Sequence, residues 1–524
     1  MLKETDLLAG FRDILTLQRV LTDSATRTLY SQDVYRAGTL PLAVLQPTCT
    51  TEVCHLVQHA LLHRIAIHVR GGGMSYTDAY LPLSEHSVVL DLSGLNKIRA
   101  ISTEDLWVTA EAGCTWAALD AALKPHGVRA RFWGPMSGAK ATLGGGFSQG
   151  AATFGSGKHG SSASTALDFE VVLGDGRLLH TGRVGAGARD AFFRPYGPDI
   201  TGLYTGDAGA LGIKTAITLQ LERRPKLQSS VSFAFSEFHS MRQAVSEISR
   251  CGLATEIFGL EATLARLSGG EAALAQDLLT LWQVIKSQRG FWRTLSQVTR
   301  IILGGREFLS ESGYIVNILY EANSPKNLAL TLSDISSLLK QHAGHEIANS
   351  IAAVVQSNPF PQPLVVGPNG MRLLPLHVIL PHSAIDAFHN AFIALRQREN
   401  VLCTKHGVSL YVVFAAVGPS ALLYEPVIYW EDEWLPLHHA TLPSVRPLLI
   451  KPGNINLDGR AYVETLRHTL ITLMIEHGGM HLQIGRAYPY LKNRTASFKD
   501  LITSLKSATD PQNIINPGAL GLRI

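Results

Sequence analysis

Three consecutive glycines between Arg70 and Met74 are the first residues in the chain whose type and spacing suggest a chemical task. They follow the apolar run 64–69, so the sequence predicts a loop at the end of a strand. Glycine loses more backbone freedom on folding than other residues, so such a run is kept where the chain turns or a ligand approaches it closely. Exposed main-chain N–H groups and the Ser75 hydroxyl suit an anion such as a phosphate. The alternative is a flexible turn.

Two further glycine clusters follow, at residues 134–150 and 155–160. The second matches G-x-G-x-x-G, but the dinucleotide fingerprint needs a strand before it, a helix after it and an acid ending the next strand. Asp175 instead lies in a predicted Gly-Asp-Gly turn, which disfavours a Rossmann fold. Three amide-rich loops within about ninety residues predict a long ligand gripped along its length, such as a flavin dinucleotide.

The sequence resembles the FAD-binding flavoproteins typified by vanillyl-alcohol oxidase and p-cresol methylhydroxylase. The matching segments occur in the family's order and cover about residues 41–222 and the tail: PLAVLQPTCTTEV, IAIHVRGGGMSY, LDLSGLNKI, VTAEAGCTWAAL, ATLGGGFSQGAATFGSGKHGSSASTALDFEVVLGDG, TGDAGALGIKTAITLQL and DPQNIINPGALG. The resemblance implies an α+β fold with a two-subdomain FAD-binding module at 1–224. It also implies an α+β cap domain at 225–470, with an antiparallel sheet flanked by helices, and a C-terminal segment at 471–524 that returns to the first module.

The resemblance also implies which residues contact FAD. The opening loop would bind the pyrophosphate through Arg70, Gly71, Gly72, Gly73, Met74, Ser75 and Tyr76. The flavin and ribityl chain would lie along Pro135, Ser137, Thr142, Gly145, Gly146 and Gly150. The rest of the dinucleotide would follow Gly155, His159, Gly160 and Ile213. Main-chain dipoles would contribute more than Arg70 to neutralising the pyrophosphate charge. The alternative for Arg70 is a structural role.

Met74 stands where some relatives carry a histidine bonded to the flavin 8α-methyl carbon, a bond that methionine cannot form. A second route of attachment uses a histidine or tyrosine of the cap. A gapped alignment puts Tyr424 near that position, with a buried core tyrosine as the favoured alternative. We therefore expect FAD to be bound without a covalent link.

FAD would carry out the redox step, while the protein would position a C–H bond of the substrate and stabilise the charge that develops on it. Hydride loss calls for a base, or for a cation that stabilises an oxyanion. The segment 480–494 offers His481, Arg486, Tyr488 and Tyr490, where the family places substrate-binding tyrosines and an arginine. Arg486 would hold a phenolate or carboxylate, because its guanidinium fork suits either. The tyrosines would share a proton with the substrate, or else pack at a domain seam.

His377, in the predicted cap strand 375–381, is a further catalytic candidate, with a core histidine as the alternative. Related D-2-hydroxy-acid dehydrogenases bind a divalent ion through a glycine–aspartate–glycine–asparagine–x–histidine element, which this sequence lacks. The nearest candidates are His438–His439 and the pair His477 and His481, but Gly478–Gly479 spoils a helical geometry for the pair. No metal site is predicted.

Three functional hypotheses follow. The first is an FAD-dependent oxidoreductase that takes hydride from an oxygen-bearing carbon of a small molecule, preferably a para-substituted phenol or aromatic alcohol. The second keeps the flavin but acts on a D-2-hydroxy acid, with Arg486 clamping the carboxylate. The third is a membrane-surface or partner-binding protein with structural flavin, based on a basic aromatic helix predicted at 282–303. The electron acceptor (oxygen, a cytochrome or a quinone) and the oligomeric state stay open, with a homodimer among the options.

The elements that must position these residues alternate up to about residue 222. Strands rich in Val, Ile and Thr are predicted at 88–95, 106–113, 169–182 and 213–224, and amphipathic helices at 50–64 and 115–127. Beyond residue 225 longer helical patterns such as 327–343 alternate with strands at 314–322, 373–381 and 410–417.

Bulk composition narrows the class of protein. A length of 524 residues predicts two or three domains, and 46% apolar with 17% charged residues fits a soluble globular protein. A formal charge of +4 without a dense basic run beside aromatic residues makes nucleic acid an unexpected partner. Five scattered cysteines and an amphipathic N-terminus without a signal-peptide core predict a cytoplasmic protein. The apolar stretch 408–430 is broken by Gly418–Pro419 and carries Glu425, so it predicts two buried strands.

Overall fold

The computed structural model describes residues 4–182, 191–264, 313–347, 349–362, 365–367, 370–441 and 451–522. The basic aromatic helix predicted at 282–303 lies outside these described residues. The predicted α+β class is confirmed, with three sheets and helices packed against them.

The first subdomain is a four-stranded sheet with strand order β1-β2-β4-β3. Its strands are β1 (Val20–Leu21), β2 (Ala43–Leu45), β3 (Ala66–Arg70) and β4 (Ser87–Asp91), and its helices are α1 (Glu4–Ile14), α2 (Ser24–Tyr30) and α3 (Thr50–His63). Strands β2 and β3 run parallel to β4. Because both faces of β4 are covered, all five of its residues are buried, which explains its continuous apolar run.

The second subdomain is a six-stranded antiparallel sheet. Five strands follow the order β5-β6-β10-β8-β9, and the sixth, β7, pairs with the long strand β10. Its strands are β5 (Ile98–Ser102), β6 (Trp107–Glu111), β7 (Val128–Ala130), β8 (Ala166–Val172), β9 (Leu178–His180) and β10 (Ile213–Arg223). Its helices are α4 (Trp116–Leu123), α5 (Leu143–Gln149), α6 (Ser156–His159) and α7 (Ile200–Leu203). One continuous hydrophobic core joins the two subdomains.

The cap is an eight-stranded antiparallel sheet of order β14-β11-β13-β12-β17-β18-β15, in which β16 also pairs with β18. Its strands are β11 (Leu227–Phe235), β12 (Glu256–Glu261), β13 (Tyr314–Ala322), β14 (His345–Ile347), β15 (Arg372–Pro375), β16 (Val378–Pro381), β17 (Val408–Val417) and β18 (Ala421–Trp430). Its helices are α8 (Phe238–Cys251), α9 (Pro325–Gln341), α10 (Ser350–Ser357), α11 (Ile385–His406), α12 (Pro436–Thr441) and α13 (Leu457–Glu476). The apolar stretch 408–430 forms the hairpin of β17 and β18, as predicted.

Helix α13 extends the cap beyond the boundary expected at residue 470. Its apolar face, with Val463, Leu466, Leu470 and Met474, is buried in the core of the cap. Because this helix is continuous to Glu476, the cap ends there and not in the middle of the helix.

The C-terminal tail carries helix α14 (Ala496–Thr509) and then joins the first subdomain. The Ile67 N–H donates to the Ile514 carbonyl at 2.7 Å, and the Asn516 N–H donates back to the Ile67 carbonyl at 2.9 Å. The Asn516 side chain also accepts the Val69 N–H at 2.9 Å, so the tail supports the strand that precedes the glycine loop. Within the described part of the chain, no helix has the length and apolar character needed to cross a membrane.

Candidate cofactor and active site

A cavity of about 630 Å³ is bounded by both subdomains and by the cap. The loop after β3, the segment around α5 and the turn before β10 supply main chain and small side chains to its wall. The cap contributes residues of β15, of the β15–β16 connection and of β18. The predicted cofactor residues that line the cavity are Gly71, Gly72, Gly73, Met74, Ser75, Tyr76, Pro135, Ser137, Thr142, Gly145 and Gly146.

Close packing explains the three glycines. A Cβ at Gly72 would collide with the Lys140 carbonyl oxygen, and a Cβ at Gly71 with the Thr142 hydroxyl. Gly73 has φ of +68°, a conformation that side chains disfavour. The run therefore lets the loop after β3 lie directly against the segment before α5.

The main-chain N–H groups of residues 72–76 donate to no acceptor in the described part of the chain. Their loop is nevertheless fixed, since the Ser75 carbonyl accepts the Val34 N–H at 3.1 Å and the Tyr80 hydroxyl at 3.3 Å. Main-chain donors in a folded protein are rarely left without a partner. Successive amides held at a cavity wall form a concave site for an anion, and a pyrophosphate fits that donor set.

The segment before and within α5 forms the facing wall. Thr142 caps the helix by accepting the Gly145 N–H at 3.4 Å. A Cβ at Gly144 would lie 2.8 Å from the Ala112 Cβ, so glycine lets α5 pack tightly on the core. Gly150 ends the helix with φ of +64° and does not itself line the cavity, although its neighbours Gln149 and Ala151 do.

The third glycine cluster does not reach the cavity, contrary to expectation. The N–H groups of Gly155 and Gly157 donate to the carboxyl group of Glu256 in the cap, at 2.9 and 3.5 Å. His159 contacts Glu222 at 3.1 Å, and Gly160 ends the short helix α6. This cluster therefore joins the cap to the FAD-binding module.

Two more predicted cofactor residues lie behind the wall. Ile213 is fully buried in the core at the start of β10, while its neighbours Gly212 and Lys214 line the cavity. Arg70 lies with its guanidinium 4.4 Å from the Tyr30 ring centroid and donates to the Leu29 carbonyl at 3.2 Å. Arg70 thus has the structural role that was the alternative.

Arg486 and Tyr490 are also outside the cavity, contrary to the predicted catalytic roles. The Arg486 guanidinium donates to the carbonyls of Leu81 and Pro517, which ties the tail to the first subdomain. Burial lowers the pKa of Arg486 to about 10. Tyr490 packs against Phe498 at a ring distance of 5.9 Å. Because the fork of Arg486 is directed at main-chain oxygens, it does not serve as the anion holder.

Tyr488 and His481 support the cap strand from behind. The buried Tyr488 hydroxyl accepts the His377 N–H at 2.7 Å, and its ring stacks on His481 at 4.1 Å. The His481 ring nitrogen Nδ1 lies 2.8 Å from the His377 carbonyl. Burial raises the pKa of Tyr488 well above its ordinary value, so its hydroxyl stays protonated. Both residues position His377 and do not line the cavity.

His377 does line the cavity, beside two other polar side chains. Its Nε2 lies 2.8 Å from Glu425 Oε2 and 3.1 Å from the Tyr76 hydroxyl, and the Tyr76 and His377 rings stack at 5.6 Å. The Gln483 amide donates to the Tyr76 hydroxyl at 3.4 Å. Burial and the nearby Glu425 raise the pKa of Tyr76 well above its ordinary value. A carboxylate, an imidazole and a protonated phenol therefore meet at one end of the cavity.

Sequence reasoning missed Glu425 as a site residue. The available signal was a single acid within the otherwise apolar strand 421–430. Pairing of Val378 with Tyr424 brings His377, just before β16, beside Glu425 of β18, a proximity that the sequence alone does not specify.

Tyr424 faces away from the cavity, because side chains alternate along β18. Leu423 and Glu425 line the cavity, whereas the Tyr424 hydroxyl contacts His389 at 2.8 Å in the core of the cap. Tyr424 is therefore a core residue and not an attachment site for flavin.

The histidines weighed as metal ligands have other contacts. His438 lies 3.0 Å from the Val34 carbonyl and accepts the Leu435 N–H at 2.9 Å. His477 lies 2.9 Å from the Leu473 carbonyl. In the ranges that the structure describes, no group of three histidine, cysteine or acidic side chains is arranged to hold a metal ion.

Known proteins share parts of this sequence and the whole of this architecture. A family model described as FAD binding domain matches residues 41–182. Glycolate oxidase subunit GlcD of Bacillus subtilis (strain 168) is 28% identical over 228 residues, 43% of this chain and 46% of the relative. The probable mitochondrial D-lactate dehydrogenase of Danio rerio is 28% identical over 250 residues, 47% of this chain and 48% of the relative. The chain thus spans about half the length of these curated relatives.

A solved structure of p-cresol methylhydroxylase with substrate bound superposes with a TM-score of 0.71 at 15% identity. The match covers 99% of this chain and 97% of that one, so the fold extends through the cap. The family match and the glycine-lined cavity agree on the cofactor, which is FAD. The chain contains an FAD-binding domain, and its fold is that of p-cresol methylhydroxylase.

Proposed function

We propose that this protein is an FAD-dependent oxidoreductase that takes hydride from an oxygen-bearing carbon of a small organic molecule. The observation that carries the proposal is the His377–Glu425 pair at the end of a cavity whose other walls fit FAD. The glycolate oxidase and D-lactate dehydrogenase relatives support this type of reaction.

FAD supplies the hydride acceptor when it is bound. The protein would accept the proton that the substrate hydroxyl loses. Glu425 suits this task, since its Oε2 is held by His377 while its Oε1 has no hydrogen-bond partner in the described part of the chain. The Glu425 side chain is 22% exposed, so a ligand in the cavity can reach it.

His377 and Tyr76 would position the base and the substrate oxygen. With its proton on Nε2, His377 donates to Glu425 and fixes the carboxylate. Tyr76 keeps its proton because burial and Glu425 oppose its ionisation, so it can donate to a substrate oxygen. Tyr488 and His481 hold the main chain of His377 in place.

The lining residues favour an aromatic alcohol or a para-substituted phenol, from which hydride would leave the side-chain carbon next to the ring. Leu373, Leu423 and Leu482 add apolar surface to the cavity. Among the described lining residues Lys214 is the only lysine or arginine, and Asp207 already pairs with it. A carboxylate at this end would therefore lack a guanidinium partner.

A D-2-hydroxy acid is the second candidate, favoured by the names of the sequence relatives. Anaerobic reduction of the flavin by a panel of aromatic alcohols, alkylphenols, D-lactate and glycolate separates the two. Faster bleaching with the aromatic compounds supports the first candidate, and faster bleaching with the acids supports the second. No bleaching by any of them contradicts the proposed reaction.

Glu425→Gln tests the base. We expect the rate of flavin reduction to fall about 10²- to 10⁴-fold while the bound-flavin spectrum is retained. Glu433→Gln, at a half-exposed cap residue outside the cavity, is the matched control and should react like the native protein. An unchanged rate in Glu425→Gln would remove Glu425 from the mechanism.

A further inference from the structure

A buried ion pair, Lys214–Asp207, lies in the wall of the cavity. Its Nζ–Oδ1 distance is 2.7 Å, and both side chains are 1% exposed. Lys214 is the second residue of β10, and Asp207 lies in the turn before that strand. The lysine also donates to the Ser148 hydroxyl of α5 at 3.0 Å. Lys214 and Ser148 both line the cavity.

The hydrogen bonds of this pair are incomplete. A lysine ammonium has three N–H donors, and the protein accepts only two from Lys214 in the part of the chain that is described. On the other partner, Asp207 Oδ2 is buried without a hydrogen bond to any described residue. Burying charges with unmet hydrogen-bonding capacity costs stability, so such a pair at a cavity wall calls for a ligand.

A second buried lysine provides the comparison. Lys506 pairs with Asp510 at 2.6 Å, and it also donates to the carbonyls of Ala210 at 2.7 Å and Ile515 at 2.8 Å. All three of its donors are therefore used inside the protein, and it does not line the cavity. Lys214 therefore differs from Lys506 in two ways: it has one N–H without an acceptor among the described residues, and it lines the cavity.

We propose that Lys214 is a cofactor-contacting residue, whose third N–H donates to an oxygen or nitrogen acceptor of bound FAD. Asp207 and Ser148 hold the ammonium in place, so the donor is oriented before the cofactor arrives. The contact belongs either to the dinucleotide half of FAD or to the flavin half, because both carry acceptors of this kind.

The test replaces both members of each pair, because removing one would leave a buried charge. Apo-protein of the variant Lys214→Met/Asp207→Asn is titrated with FAD and with FMN, and flavin fluorescence reports binding. The control Lys506→Met/Asp510→Asn removes the other buried pair. We expect the first variant to bind FAD about 10- to 100-fold more weakly than the native protein and the control to bind it normally.

The two flavins distinguish the halves of the cofactor. Weaker binding of FAD alone places the contact on the dinucleotide half, whereas weaker binding of both places it on the flavin half. In the second case the midpoint potential of bound FAD should also fall, because a donor that stabilises the electron-rich reduced ring is lost. Native affinity of the first variant for both flavins would overturn the proposal. If that variant does not fold, Lys214→Gln is titrated with FAD instead. Its amide has two N–H donors for Asp207 and Ser148 and none to spare, so native affinity together with a native potential would overturn the proposal.

Discussion

Two glycine-rich loops of the FAD-binding module have similar sequences and opposite uses. The loop at 71–76 lines the cavity, and the N–H groups of residues 72–76 have no acceptor among the residues that the structure describes. In the loop at 155–160, the N–H groups of Gly155 and Gly157 donate to the buried carboxyl group of Glu256. Both loops offer N–H donors to oxygen acceptors, which belong to Glu256 at 155–160 and, in our proposal, to the FAD pyrophosphate at 71–76.

An amide-rich loop therefore indicates an oxygen acceptor without indicating whether a ligand or the protein supplies it. Glu256 lies on β12 of the cap, about a hundred residues beyond Gly155. A local pattern such as G-x-G-x-x-G contains no information about that distant strand. Only the packing of the cap on the module decides that this loop binds protein and not cofactor.

Gly72→Ala should have the largest effect. The added Cβ collides with the Lys140 carbonyl oxygen, so the loop must move away and its amides lose their arrangement. Since each hydrogen bond to a charged group contributes about 1.5–3 kcal/mol, we expect FAD affinity to fall about 100-fold or more. Titration of the Gly72→Ala apo-protein with FAD measures this affinity. Gly252→Ala, at a glycine with φ of +63° and open space around it, is the control and should bind FAD normally.

Gly155→Ala should lower the stability of the protein without changing its affinity for FAD. Gly155 has φ of +92°, and a Cβ there would collide with the Arg131 carbonyl oxygen. We expect the free energy of unfolding to fall by about 1–3 kcal/mol, with native FAD affinity. Urea unfolding and FAD titration of the same preparation check both. Lost FAD affinity at native stability would assign this loop to the cofactor after all.

Glu256→Gln should remove a pH dependence. Burial raises the pKa of Glu256 well above its ordinary value, against the opposing amides of Gly155 and Gly157. The folded state thus favours the protonated acid, while the unfolded acid ionises near about 4.3. The contribution of Glu256 to the free energy of unfolding is therefore present below that pH and is lost as pH rises toward the folded-state pKa.

Urea unfolding of the native protein and of Glu256→Gln between about pH 5 and pH 8 measures the contribution of Glu256 to the free energy of unfolding. We expect the native protein to lose stability relative to the variant as pH rises. A difference that stays constant with pH would mean that Glu256 does not titrate as described.

His159→Ala should have the smallest effect. Its ring contacts Glu222, which also pairs with Arg129 at 2.6 Å, so the carboxylate keeps a partner. We expect a loss below about 1 kcal/mol in the free energy of unfolding and native FAD affinity. A large drop in FAD affinity, seen by titration, would restore His159 to the cofactor site.

Local patterns predicted the elements and the first glycine loop. Helix α3 and strand β10 are set by apolar spacing along a few residues, and Gly71–Gly73 follow directly from the end of β3. The catalytic end was less predictable. His377 and Glu425 meet through strand pairing, and Arg486 faces carbonyl oxygens of distant loops, neither of which is encoded in nearby sequence.

Hydrogen–deuterium exchange of the apo-protein and of the FAD complex can show which loop binds the cofactor. We expect amides 72–76 to exchange readily without FAD and to become protected when FAD binds. Gly155 and Gly157 should be protected in both states, because Glu256 already occupies their loop. Protection by FAD that appears at 155–160 and not at 72–76 would mean that the third glycine cluster, and not the loop after β3, binds the cofactor.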